Sequence, residues 1–521
     1  MLDAIDPVRL EVIKNRLTSL TEEMGAVLMR TAFSPNIKER RDFSCALFDG
    51  QGAMLAQAAH IPVHLGSMPL SVAAALEFAD LLPGDMLLLN DPYRGGTHLP
   101  DLTLVMPVFD AGPRPVFYLA NRAHHADVGG MSAGSLPLSS DIFQEGLRIP
   151  PVRILKQGEV DQDLLQLFLA NVRTPEEREG DLTAQIAANR VGERRLLELL
   201  ALFGLEQLQR YGTRLLDYGE RMMGEVIATI PDGTYRFSDQ LDDDGVGHQP
   251  ITIVVELSVA GRNARIDLRS SDDQVPGCVN AVRAITLSAV YYAFRLLAEE
   301  TIFYNAGCMR PIEVLTRPGS VVDAQFPAAV AGGNVETSQR VVDVILGALA
   351  EALPGQIPAA SCGTMNNLTI GGYDPRRQRL FAYYETIAGG SGGGPQGPGA
   401  SGLQSHMTNT LNTPVEALEH AYPLRIERYQ LRKGSGGTGR ARGGEGVVKA
   451  IRLLADARVT LLTDRRVTEP YGLRGGSPGS VGRNQRMTGS ESEELPGKCS
   501  FQAAADDVIV IETPGGGGWG Q

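Results

Sequence analysis

Residues 86–127 read MLLLNDPYRGGTHLPDLTLVMPVFDAGPRPVFYLANRAHHAD, and this stretch predicts the sheet that organises the chain. It contains apolar runs at 86–90, 101–109 and 115–123, each with the length and composition of a buried strand. A polar, glycine-rich loop follows the first run, and the cluster HHAD follows the third. Loops at strand ends are where sheet proteins usually place their chemistry. If the second and third strands pair, the two polar clusters meet at one point.

These clusters carry the residue types that bind a divalent metal ion. His98 and Asp101 lie three residues apart on one turn, and His124 is followed by His125 and Asp127. Mixed imidazole and carboxylate ligands suit Zn²⁺, Mn²⁺ or Fe²⁺. Such an ion, with one open coordination position, lowers the pKa of bound water to roughly 7. Neighbouring residues of a strand face opposite ways, so we predict that His124 binds the ion and His125 does not.

The predicted ligand set is His98, Asp101 and His124, with Asp42 as a fourth ligand from the start of the preceding strand. The alternative is a hydrogen-bonded loop network without a metal, because an imidazole pair beside a carboxylate can also be satisfied in that way. No HExxH or CxxC signature is present to decide between the two. Taken alone, these residues leave both interpretations open.

The flanking sequence predicts a mixed α/β (α+β) chain with several lobes and mixed sheets. Asp6-Pro7 begins a helix, residues 43–57 form a hairpin around Asp49-Gly50, and 181–227 reads as long helices. Glycine and short strands dominate the last hundred residues. The predicted regions are a metal-site region at 1–180, a helical segment at 181–230, a mixed α/β region at 231–400 and a Gly-rich, β-dominated region at 401–521.

Composition narrows the class of partner and the compartment. The 521 residues carry a net charge of −13 and a pI near 5.2, which argues against nucleic acid and anionic membrane surfaces as partners. The N-terminus lacks the pattern of a secretory signal, and no stretch approaches the ~20 apolar residues of a membrane helix. The five cysteines are scattered and form no CxxC pair, which is typical of reduced thiols. We therefore expect a cytoplasmic protein.

Other motifs in the chain carry less information. Residues 434–439 match GxGxxG and residues 389–393 match GxSxG, but neither precedes a helical sequence, so both are interpreted as turns. No GxxxxGK[ST] motif occurs, so the chain is not expected to be a P-loop ATPase itself. Glu145 and Arg173 lie in polar loops, where they either orient a substrate or form ordinary ion pairs.

Several of these segments, in their order along the chain, resemble the hydantoinase B/oxoprolinase family. They include NDPYRGGTHLPDLTLVMPVF, NRAHHADVGGMSAGS, FQEGLRIPPVRI, AVAGGNVETSQRVVDVILGAL and the terminal TPGGGGWG. The resemblance covers essentially the whole chain. Relatives of this type include N-methylhydantoinases, 5-oxoprolinases, a caprolactamase, and the acetone and acetophenone carboxylases.

This resemblance implies a metal at His98, Asp101 and His124, and also at Asp42. It implies a separate hydantoinase A-type partner that uses ATP and Mg²⁺ to phosphorylate a cyclic amide. This chain then hydrolyses the activated amide, with His125 or Asp127 as general base. Two alternatives stay open: a component of an ATP-dependent ketone carboxylase, and a scaffold for the ATP-using partner that has no catalytic role.

Overall fold

The structure is a computed structural model that describes residues 6–58, 61–78, 80–247, 249–298 and 302–521. It combines helices with four sheets, which confirms the mixed α/β class. In the N-terminal part the elements are α1 (Pro7–Thr31), α2 (Pro35–Lys38), β1 (Phe43–Asp49), β2 (Met54–Gln57), α3 (Met68–Leu76), β3 (Met86–Leu89), β4 (Asp101–Phe109), β5 (Pro115–His124), β6 (Val152–Lys156), β7 (Glu159–Val160) and α4 (Gln162–Leu169).

The middle of the chain begins with two long helices, as predicted for 181–227. Its elements are α5 (Pro175–Phe203), α6 (Leu205–Ile227), β8 (Gly233–Leu241), β9 (Ile251–Ala260), β10 (Asn263–Asp267), α7 (Arg283–Leu297), β11 (Ile312–Leu315) and α8 (Ser338–Ala352). The C-terminal part contains β12 (Asn367–Asp374), β13 (Arg379–Thr386), α9 (Val415–Ala421), β14 (Leu424–Leu431), β15 (Val447–Leu453), β16 (Ala457–Leu462), β17 (Arg483–Thr488), β18 (Glu491–Leu495), β19 (Lys498–Ala503) and β20 (Val508–Glu512).

The N-terminal sheet has the strand order β2-β1-β5-β4-β3-β6-β7, so β4 and β5 are neighbours, as a meeting of the two polar clusters requires. They pair antiparallel, with Asp101 directly opposite His124. Side chains alternate between the two faces. Leu104 belongs to the large core shared with α1 and α5, whereas Val105 belongs to a smaller core under α3. This register brings the end of the first polar loop to the start of the second.

Helix α1 follows its sequence signals closely. The Asp6 carboxylate accepts a hydrogen bond of 2.9 Å from the amide of Val8, and Pro7 occupies the first helical position. The predicted apolar stripe is buried against the sheet and α5; it consists of Ile13, Leu17, Leu20, Met24 and Leu28. Among the described helices, none combines the length and hydropathy of a membrane span.

The remaining sheets have the orders β11-β10-β9-β8, β13-β12-β16-β19 and β14-β15-β20-β17-β18. The first of these is mixed, because β10 runs parallel to β11 and antiparallel to β9. Helix α8 packs on β8 and β9. The sheet that contains β12 and β13 has a separate apolar core, and the polar ends of these two strands reach the N-terminal sheet.

Three glycine-rich segments pack backbone against backbone in the C-terminal part. Their amides and carbonyls bond across segments, as in Gly444 N–H to Ser391 O (2.8 Å) and Gly516 N–H to Gly444 O (2.9 Å). A Cβ added to Gly516 would overlap the carbonyl of Ser391. No helix begins after 389–393 or 434–439 in this described region, so neither motif forms a nucleophile elbow or a dinucleotide-binding turn.

Candidate metal centre

Three donor atoms from the two polar loops meet at the end of the β4–β5 pair. His98 Nε2 lies 3.3 Å from Asp101 Oδ1, His124 Nδ1 lies 3.2 Å from the same oxygen, and the two nitrogens are 3.2 Å apart. The three residues are 0%, 1% and 3% exposed, respectively. Within the part of the chain that the structure describes, this is the group of donors suited to holding a metal ion. The meeting of the two clusters is therefore confirmed.

The shape of this triangle tests whether the residues fit a divalent ion. Donors bound tetrahedrally at about 2.0–2.1 Å from one ion lie about 3.3 Å from one another. The observed sides match that spacing. Asp101 Oδ1 faces both ring nitrogens but accepts no well-formed hydrogen bond, although buried polar atoms normally have a partner. These observations favour an ion over the loop network, so the residues fit the metal that their chemistry suggests.

Local backbone contacts hold the first loop in place. The amide of Asp101 bonds to the carbonyl of His98 (3.1 Å), which closes the turn before β4. The side-chain amide of Asn90 bonds to the carbonyl of Leu99 (2.8 Å), and its oxygen accepts from the amide of Ile149 (2.6 Å). This buried asparagine ties both ends of the polar loop to a neighbouring segment, so the two donors of the turn have fixed positions.

The second oxygen of Asp101 has its own partners. Thr97 donates its hydroxyl to Asp101 Oδ2 at 2.5 Å, and His64 Nε2 lies 3.5 Å from the same atom. Burial opposes ionisation of Asp101, but His98, His124 and His64 together hold its pKa well below the usual range. Burial lowers the pKa of His124 to about 3 and also lowers the pKa of His64. The site therefore presents an ionised carboxylate to neutral imidazoles, which is the protonation state that metal binding requires.

The C-terminal half of the chain supplies one wall of the site. The ring of Tyr384, on β13, stacks on His124 with centroids 4.7 Å apart. Its hydroxyl donates to Asn367 Oδ1 (3.0 Å), and the Asn367 amide donates to Glu336 Oε1 (2.8 Å). Arg40 lies over the other part of the Tyr384 ring, 4.9 Å from its centroid. Sequence reasoning missed this wall because the residues are hundreds of positions from the loops.

Asn334 completes the surroundings of His98. Its side-chain nitrogen lies 3.1 Å from His98 Nε2, and its side-chain oxygen is buried without a hydrogen-bond partner. It stands on a π-helical turn, Gly333–Thr337, that leads into α8. Single π-helical turns occur frequently at functional sites. Glu336 on the same turn is fully buried, and burial raises its pKa to about 8.

The predicted fourth ligand, Asp42, lies beside the triad. Its backbone carbonyl accepts a hydrogen bond of 3.0 Å from the amide of His124. Burial raises the pKa of its carboxyl group to about 7. The group of mutually close donors comprises His98, Asp101 and His124 among the described residues, without Asp42. Its role as a ligand stays a prediction.

The two predicted acid/base residues make contacts outside the triad. His125 Nε2 lies 2.8 Å from Gln185 Oε1 on α5, so it faces the opposite side of the strand end from His124, as predicted. Burial lowers its pKa to about 4. Asp127 is buried and pairs with Arg173 at 2.7 Å, which is the ion-pair alternative for that arginine.

The other loop carboxylate, Glu145, forms no ion pair with the described residues. Its Oε1 accepts hydrogen bonds from the Ser139 hydroxyl (2.7 Å) and from the amides of Val330 (2.8 Å) and Ala331 (3.0 Å). Burial raises its pKa to about 7. These contacts join the loop before β6 to the segment that leads to Asn334. Glu145 therefore supports the wall of the site.

The chain matches one protein family over nearly its full length. The model of the family described as hydantoinase B/oxoprolinase matches residues 6–521. The chain belongs to the hydantoinase B/oxoprolinase family. The resemblance carried by the sequence motifs is thereby confirmed.

Two curated relatives and one solved structure illustrate the family. The chain is 39% identical to a 5-oxoprolinase of Dictyostelium discoideum, over 99% of this chain and 40% of that protein. It is 31% identical to the putative B component of a D-/L-hydantoinase from a Pseudomonas strain, over 100% of this chain and 90% of that one. The ATP-dependent caprolactamase from Pseudomonas jessenii is 28% identical, with a TM-score of 0.93 over 99% and 92% of the two chains. The chain thus spans about 40% of the length of the 5-oxoprolinase.

Proposed function

We propose that this hydantoinase B-family chain is the metal-dependent hydrolytic component of an ATP-dependent cyclic amidase. The observation that carries the proposal is the buried triangle of two imidazole nitrogens and one carboxylate oxygen, 3.2–3.3 Å on each side. The similarity to a 5-oxoprolinase, to a putative hydantoinase component and to a caprolactamase supports a cyclic amide as the substrate class.

The residues of the chain divide the work at this site. His98, Asp101 and His124 would hold the ion, and Thr97 and the stacked Tyr384 fix the orientation of two of these ligands. A divalent ion bound there supplies Lewis acidity, which lowers the pKa of a coordinated water and polarises a carbonyl oxygen. The near-complete burial of the donors excludes bulk water, which protects a labile activated amide from reaction elsewhere.

ATP enters the proposal through a partner. An unactivated amide carbonyl is a poor electrophile, whereas a phosphorylated amide has a good leaving group. We propose that a hydantoinase A-type partner transfers the phosphoryl group to the amide oxygen, using ATP and Mg²⁺, and that this chain adds water to the activated carbon with loss of phosphate. Two relatives support such an arrangement, because one is a component of a hydantoinase with more than one chain type and the other is an ATP-dependent caprolactamase.

Reconstitution tests the proposed reaction. The full chain is combined with a hydantoinase A-type partner and assayed for ring opening of hydantoin, 5-oxoproline and caprolactam, with and without ATP. We expect ring opening of at least one substrate that requires both chains and ATP, without bicarbonate. Product formation from a ketone with bicarbonate would instead establish the carboxylase alternative. Normal ring opening by a complex carrying His98→Ala would establish the scaffold alternative.

Removal of the metal from the same complex gives a second expected result. Dialysis against a chelator should lower the ring-opening rate more than about 100-fold, because loss of even an outer partner of a metal ligand costs about 10–100-fold. Activity should return on addition of one of Zn²⁺, Mn²⁺ or Fe²⁺, at one equivalent per chain by elemental analysis. Full activity in a complex proven free of metal would contradict the proposal.

The role of His125 separates positioning from proton transfer. Loss of a general base costs about 10²–10⁴-fold in rate. Because the His125 ring faces Gln185 and not the triad, we expect His125→Gln to lower kcat by less than about 10-fold and to leave metal content unchanged. Measurement of kcat against pH for this variant beside His98→Ala checks the expectation. A much larger loss with full metal content and a lost basic limb would restore the sequence-based assignment of His125 as the base.

A further inference from the structure

The side-chain amide of Asn334 approaches the same atom of His98 that forms one corner of the donor triangle. Asn334 Nδ2 lies 3.1 Å from His98 Nε2, a separation close to the sides of the triangle itself. Asn334 is only 4% exposed, and its Oδ1 atom has no hydrogen-bond partner. A fourth polar group of the chain therefore points at the position that the three donors surround.

The orientation of this carboxamide is decided by what occupies the triangle. A ring nitrogen that binds an ion has no lone pair left to accept from an amide N–H, and no proton to give. The oxygen and nitrogen of a carboxamide are nearly equal in size, so turning the group over exchanges them without repacking. The turned amide presents its lone pairs to the positive charge, and the buried oxygen that now lacks a partner acquires one.

The backbone around Asn334 holds the side chain in this position. Ser338 donates its hydroxyl to the Asn334 carbonyl (2.7 Å), and the Thr337 hydroxyl donates to the carbonyl of Val279. A Cβ on Gly333 would overlap the carbonyl of Asn280, so the turn lies directly on a neighbouring segment. The π-helical turn inserts one residue into the start of α8, and these contacts keep Asn334 from withdrawing.

We propose that Asn334 binds the metal through its carboxamide oxygen and is a protein ligand in addition to His98, Asp101 and His124. This inference rests on the proposed function, since it assumes an ion in the triad. Its consequence is a preference among ions. A carboxamide oxygen suits Mn²⁺ better than Zn²⁺, and Zn²⁺ is satisfied by three protein ligands and a water. Loss of Asn334 should therefore weaken Mn²⁺ binding more than Zn²⁺ binding.

The test compares metal binding by the purified full chain and three variants. Asn334→Ala removes the oxygen, whereas Asn334→Asp keeps an oxygen of nearly the same shape and removes the amide donor. Asn121→Ala is the matched control, because Asn121 is also buried but bonds to Gln185 and Asn189 on the opposite face of β5. Dissociation constants for Mn²⁺ and Zn²⁺ are measured by equilibrium dialysis, and the Co²⁺-substituted proteins are compared by visible absorption.

We expect Asn334→Ala to weaken Mn²⁺ binding by about 10–100-fold, to weaken Zn²⁺ binding less, and to change the Co²⁺ spectrum. Asn334→Asp should bind Mn²⁺ at least as tightly as the natural chain. Asn121→Ala should leave both affinities unchanged.

Each opposite outcome overturns the inference. If Asn334→Asp loosens Mn²⁺, the amide acts as a hydrogen-bond donor and not as a ligand, and this variant remains informative even where Asn334→Ala fails to fold. Equal weakening by Asn334→Ala and Asn121→Ala would show a general loss of structure. If the natural chain itself binds neither ion, the proposed metal function fails as well, which distinguishes that failure from a failure of the Asn334 assignment alone.

Discussion

Asp101→Asn is expected to lower the divalent-ion affinity of this chain by at least about 100-fold and to abolish ring opening by the reconstituted complex. Asp101 supplies the corner of the triangle that lies 3.2–3.3 Å from both imidazole nitrogens. Its carboxylate is the negative charge that two neutral imidazoles cannot replace. Asparagine has the same shape but no charge, so the packing of the loop is retained while the attraction for the ion is lost.

Asp91→Asn is the matched control for this substitution. Asp91 belongs to the same polar loop and is also buried, but its carboxylate accepts from the amide of Tyr93 (3.0 Å) and pairs with Arg148 (3.2 Å). Metal content, ring opening and far-ultraviolet circular dichroism are measured on both variants. A complex with Asp101→Asn that keeps its metal and its rate would refute both the ligand assignment and the hydrolytic role.

Gly516→Ala is expected to destabilise the folded chain by about 3 kcal/mol or more, near the upper end of what overpacking usually costs. The new methyl group would overlap the carbonyl of Ser391 and the amide that follows it, both of which are backbone groups. Relief by side-chain rotation is therefore impossible. The Ser391 segment cannot shift either, because Ser391 N–H bonds to Ala400 O (2.9 Å) and Gly444 N–H bonds to Ser391 O (2.8 Å).

Gly112→Ala provides the comparison for the glycine packing. Gly112 lies in the turn between β4 and β5, and a Cβ there has no atom within 4 Å. Soluble yield and the urea midpoint are measured for both variants beside the natural chain. We expect Gly112→Ala to behave like the natural chain and Gly516→Ala to unfold at much lower urea or to be recovered insoluble. Equal midpoints would show that the glycine segments are not packed as described.

Local sequence was sufficient for those parts of the fold that local chemistry controls. The Asp6 cap, the apolar stripe of α1 and the hairpin at Asp49-Gly50 each depend on residues within a few positions of one another. The pairing of β4 with β5 follows from the short connection between two apolar runs. Helix α3 begins at Met68 and not at Leu70 as its periodicity suggests, a shift of the size that helix termini commonly show.

The candidate site divides along the same line. His98, Asp101 and His124 were identifiable from sequence because a strand pair joins their two loops and the period of two decides which histidine faces the ion. His64, Asn334 and Tyr384 were not identifiable in this way. Each reaches the site from a segment whose docking depends on the packing of several sheets and on a π-helical turn that has no local sequence signature here.

By itself, then, the sequence determined the donor chemistry, the mixed α/β class and the family. The tertiary structure alone decided that the C-terminal half builds a wall of the site, that His125 and Asp127 are engaged elsewhere, and that glycine segments distant in sequence share one packed core. The physical reason is range. Caps, turns and strand alternation are set by neighbours along the chain, whereas close packing and the satisfaction of buried polar atoms depend on segments that meet only after the whole chain has folded.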